Sequence, residues 1–143
     1  MGYNVNTFKA MLAALFFSKL ILLTPQPVDL GREWSDVKLT APISAITPGA
    51  SLLVDVTRVP GVQRDFATLE RMFPKGTVEA QLFLNNGSAI NLQSSGGVAL
   101  SKNSVELLVH SSDIPVNADF TRLRVRSNID LKQVRISWQN YSK

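Results

Sequence analysis

His110 is the only histidine of this 143-residue chain, and cysteine is absent. That removes thiol nucleophiles, Cys-rich zinc sites and any His-pair metal site. His110 ends the run VELLVH and precedes Ser111, Ser112 and Asp113. A Ser-His-Asp triad needs side chains that converge, whereas neighbours on one strand point to alternate sides. No GxSxG elbow exists either, so His110 reads as a solvated strand-end residue. Among carboxylates, Asp113, Asp119 and Asp130 fall in or beside loops. Glycosidase chemistry needs two carboxylates about 5–10 Å apart in a cleft, and a small domain with short loops has little room for one. Asp113, Asn117 and Asp119 follow D-x-x-x-N-x-D, which matches no calcium loop. The expectation is a non-enzyme with no cofactor and no metal.

Binding chemistry is better represented. Arg122, Arg124 and Arg126 alternate along one run, and Arg135 occupies the next run. Like charges at neighbouring positions cost free energy unless they are paired or meet an anion. Pairing with Glu79 and Glu106, which face outward on other runs, is the structural reading. An anionic partner is the functional one: an acidic protein face, a glycan or lipid headgroups. Nucleic acid is disfavoured. Setting aside Lys9 and Lys19 lowers the net charge from +4 to +2, and the stripe has Phe120 but no interleaved stacking aromatics. Trp34, Trp138 and Tyr141 could make a sugar-stacking platform, although Trp138 has the parity of a core residue.

These residues need elements to position them. Eight short runs read as strands: 36–40, 51–57, 77–84, 89–93, 98–100, 104–110, 120–126 and 131–138. Asn85-Asn86-Gly87 reads as a type I′ hairpin turn. Ser94–Gly97 and Ser101–Asn103 read as further turns, and Ser127–Asp130 turns the last two strands back on each other. Residues 65–73 carry Phe66, Leu69 and Met72/Phe73 at helical spacing, with Asp65 as cap. Strict alternation predicts a core of Leu52, Val54, Val56, Val78, Leu82, Val105, Leu107, Leu123, Val125, Val134, Ile136 and Trp138. The implied fold is all-β: an antiparallel, jelly-roll-like β-sandwich with one short helix.

Ahead of this domain (residues 28–143) lies a different composition. Phe8–Leu23 reads FKAMLAALFFSKLILL, thirteen of its sixteen residues apolar, before Thr24-Pro25-Gln26-Pro27. Within residues 1–27 this predicts an N-terminal hydrophobic helix that anchors the chain in a membrane. Lys19 lies near its end and could snorkel to the headgroups. A cleaved signal peptide and a buried helix are the alternatives. Charge flanking the run favours the C-terminal domain on the extracytoplasmic side, periplasmic or cell-surface. The functional expectation is a membrane-tethered interaction module with a protein partner, such as an accessory subunit of an envelope complex. The alternatives are a glycan-binding jelly-roll module and an inhibitor or immunity protein acting outside the cytoplasmic membrane.

Overall fold

The computed structural model describes residues 19–45, 50–101, 104–111 and 118–140. Its strands are β1 (Lys19–Leu22), β2 (Val28–Leu30), β3 (Ser35–Ala45), β4 (Ser51–Asp55), β5 (Val78–Leu84), β6 (Ala89–Leu100), β7 (Val105–His110), β8 (Ala118–Ser127) and β9 (Leu131–Asn140). Among the described residues one helix, α1 (Phe66–Met72), interrupts them. Hydrogen bonding runs in a single path, β1-β9-β4-β7-β6-β5-β8-β3, with β2 added to β9. Every pairing is antiparallel. The chain is thus an all-β protein built on one curled sheet, a half-barrel in place of two clearly separate layers.

Alternation along the strands closes the core. All twelve residues predicted to face inward are buried, and Trp138, Leu82, Leu123 and Ile136 are fully so. Phe120 on β8 meets Trp138 on β9 edge to face, with centroids 4.9 Å apart and planes at 68°. These two strands are separated by four others along the sheet, so the contact ties opposite walls across the interior. Asp65 caps α1: its carboxylate accepts from the Thr68 backbone N–H at 3.2 Å. The Thr68 hydroxyl and then its amide hold the Asp65 carboxyl below the usual range.

Several expectations change. Lys19–Leu22 form a strand opposite Asn140–Ser137 of β9, and the Leu23 amide donates to the Ile136 carbonyl at 2.8 Å. The predicted helix Phe8–Leu23 therefore does not extend over its last five residues; its remainder lies outside the described residues. No helix among the described residues is long and apolar enough to cross a membrane. The Ser127–Asp130 turn does not pair its flanking strands; it carries the chain from β8 on one wall to β9 on the other. Ser94–Gly97 is no turn but part of β6. Between Ser94 and Val98 β6 advances four residues while β7 advances two, and Gly96 (φ +84°) supplies the left-handed residue of that bulge. The β5–β6 hairpin forms where predicted, with a different turn. Gly87 (φ +91°) alone in the loop has positive φ, and its amide donates to the Leu84 carbonyl at 3.0 Å. That is a type I turn followed by a left-handed glycine.

Candidate functional site

The three arginines at alternate positions of β8 project from the outer face of the sheet. Alternate residues on a strand stand roughly 6.7 Å apart, which leaves room for one ring between successive side chains. Two rings use that room. Phe83 on β5 lies opposite Arg122, and Trp34, one residue before β3, sits two positions before Asp36, which lies opposite Arg124. The Arg122 guanidinium carbon is 4.5 Å from the Phe83 centroid. That of Arg124 is 5.5 Å from Phe83 and 4.5 Å from Trp34. That of Arg126 is 4.3 Å from Trp34. The order Arg122, Phe83, Arg124, Trp34, Arg126 is a ladder of alternating cations and rings. Exposed contacts of this kind contribute about 0.5–1 kcal/mol each.

Polar partners hold the ladder from the side. Arg126 Nη2 lies 3.3 Å from Glu79 Oε2. Arg124 Nε donates to Gln81 Oε1 at 2.8 Å, and Gln81 Nε2 donates to Asn91 Oδ1 at 3.1 Å. Arg122 Nη2 is 3.8 Å from Asp36 Oδ1, with both side chains more than 60% exposed; at that distance and exposure the pair is worth little. The predicted partner Glu79 is thus in place because β5 adjoins β8. Glu106 cannot serve, because β7 lies three steps from β8. Three arginines and Lys38, beside Arg122, face two carboxylates, so the surface keeps a positive surplus. At the Arg126 end, Trp34, Glu79, Asn91, Gln93 and Arg126 line a shallow concavity of about 280 Å3.

Arg135 is not part of this surface. β9 lies across the molecule from β8, and Arg135 stands opposite Asp55. With Asp55, Thr57, Arg58 and Gln133 it lines a separate polar hollow of about 150 Å3. Asp55 also stands opposite Glu106, and burial first, then the Asp55 charge, pushes the Glu106 carboxyl up despite a hydrogen bond from Ser104. Of the expected aromatic platform, Trp138 is core, Tyr141 lies outside the described residues, and Trp34 has become a rung of the ladder. His110 is exposed at the end of β7, opposite Ser51 and Gln93. Asp113 and Asn117 lie outside the described residues; Asp119 and Asp130 are exposed. No group of three potential metal ligands comes together among the described residues.

Sequence reasoning found the arginines and their partner Glu79 and missed the two rings that interleave with them. Parity does place Glu79, Gln81 and Phe83 on one wet face of their strand. What it could not supply was the neighbour, because β5 and β8 are far apart in the chain and meet only through the sheet order. No protein family, curated protein or solved structure matches this chain.

Proposed function

We propose that the protein is a non-enzymatic interaction module on the extracytoplasmic side of a membrane, an accessory subunit that meets an acidic protein face through the arginine–aromatic ladder. The observation that supports this reading is the positive surplus on a surface whose guanidiniums are already held in place. Cations fixed between rings lose little side-chain freedom on binding, which favours affinity. Their charge steers an acidic partner, and that steering weakens with salt. The proposed tether is the apolar run ahead of β1. With Lys19–Leu22 in the sheet, the membrane tether we propose lies ahead of them, within residues 1–18.

A photo-cross-linking residue at position 91, beside the ladder, tests the reading in the native host, with position 132 on β9 as control. The expected result is one discrete protein adduct from position 91, reduced by raised salt and lost when Arg122→Glu and Arg124→Gln are combined. Equal labelling from both positions, or an adduct indifferent to salt and to both substitutions, would overturn it. A glycan ligand is the second reading. It is favoured by the hollow that sets the Glu79 carboxylate and the Asn91 and Gln93 amides beside Trp34, and saturable sugar binding abolished by Asn91→Ala would select it.

A further inference from the structure

The two ends of the sheet face each other. β1 and β3 terminate the hydrogen-bonded path, and between them lies a cavity of about 220 Å3. Ile21, Leu22, Leu23 and Pro25 line it from the β1 side, and Lys38, Leu39, Pro42 and Ile43 from the β3 side. A break in the β3–β8 ladder shapes it. From Lys38 to Ile43 β3 advances five residues while β8 advances two, from Arg122 to Phe120. The extra length bows β3 out of register along the seam. Seven of the eight lining residues are apolar, and Leu20 and Leu22 on β1 remain 58% and 51% exposed.

The character of the two edges narrows what can fill the seam. An added peptide strand draws its affinity from backbone hydrogen bonds to an exposed edge. Here β3 carries both the register break and Pro42, which has no N–H. Bulges and proline are devices that turn strands away. A ligand that needs apolar walls and no ladder fits better. The cavity, about 220 Å3, is smaller than the ~300–1,000 Å3 of pockets that enclose drug-sized ligands, so it takes a small apolar group such as a stretch of hydrocarbon chain. Lys38 stands at its rim, exposed, and makes no ion pair among the described residues. We propose that the seam binds the hydrocarbon chain of a free fatty acid, with its carboxylate at Lys38. The seam adjoins the Arg122 end of the ladder and shares Lys38 with it, but its occupancy does not depend on the function proposed for the ladder.

Displacement of a dansylated undecanoic acid from the full chain, in detergent-free buffer, tests the proposal. Competing straight-chain carboxylates of increasing length are added below their micelle concentrations. The expected result is one saturable site whose affinity rises about fourfold per methylene, the value for full burial, and then levels off when the cavity is full. Lys38→Ala should weaken the acids by up to about fivefold, as for an exposed ion pair, and leave the matching alcohols unchanged. Leu39→Trp, which fills the cavity, should weaken both. Absence of saturable uptake would overturn the proposal. So would an affinity that climbs without levelling, the behaviour of unspecific partition, or preferential uptake by anionic phospholipid vesicles bearing the protein with no binding of the free acid. If Leu39→Trp fails to fold by far-UV circular dichroism, the acid-against-alcohol contrast in Lys38→Ala decides alone, and equal weakening of both counts against the seam.

Discussion

Ser51 hides a hydroxyl that nothing satisfies. The residue is 3% exposed, and its Oγ has no hydrogen-bond partner among the described residues. A buried hydroxyl without a partner costs about 1–3 kcal/mol. Ser51→Ala should therefore stabilise the protein by about 1 kcal/mol, seen as a higher denaturant midpoint with unchanged slope. The carboxylates Asp55 and Glu106, directly opposite on β4 and β7, make a second local cost. Because the fold raises the Glu106 carboxyl above its ordinary range, the protonated form is the one the native state favours. The contribution is present at low pH and is lost as pH rises through the folded-state value. Glu106→Gln should thus add roughly 0.2–1 kcal/mol, the worth of opposed like charges, at about pH 7. It should add almost nothing near pH 3.5, where both states are protonated. Urea unfolding at the two pH values checks the sign.

Among the elements, β9 carries the clearest strain. Its ladder to β2 slips between Leu131 and Val134, and within that bulge Gln133 has φ +59°, the one described non-glycine residue with positive φ. Asp29 secures the bulge. Its carboxylate accepts the Gln133 amide at 3.0 Å and lies 3.8 Å from Lys132 Nζ. A left-handed backbone costs a residue with a Cβ about 1–2 kcal/mol. Gln133→Gly should leave stability unchanged or raise it by up to about 1 kcal/mol, whereas Gln133→Val should lose about 1–2 kcal/mol; thermal unfolding of the pair reads the difference. What could be read from the chain follows the same logic of local signals. β5, β7, β8 and β9 were legible because one face is wet and the alternation shows. Lys19–Leu22 was not, because an apolar run beside another apolar run has no alternation to distinguish strand from helix. Ser94–Gly97 misled because small residues and glycine mark turns and bulges alike. The arginine stripe was visible as spacing, but its rings and its separation from Arg135 depend on strand order, which no local signal encodes.

On the scale of the whole molecule, stability rests on the two walls meeting across the interior. Leu123 is fully buried and belongs to the strand that carries the ladder on its other face. Leu123→Ala should cost about 2–5 kcal/mol, the range for a buried leucine, measured by urea unfolding. A loss of that size would also loosen the outer surface, since Arg122 and Arg124 flank Leu123 on the same strand. Core and candidate site are two faces of one element.

The pairing of β9 has a consequence for the order of events during synthesis. Lys19 lies opposite Asn140 and Leu22 opposite Ser137, while β2 and β4 also lean on β9. Three strands made earlier thus wait for β9. Until Leu131–Asn140 emerges, the apolar β1 and one edge of β4 lack their native partner. The nascent chain then resembles an aggregation-prone intermediate that a chaperone or a membrane must shelter. Contacts spanning most of the chain also make folding slow once it can begin. A chain stopped after Asp130 should accordingly show no cooperative unfolding transition and rapid proteolysis, although it retains every residue of the ladder.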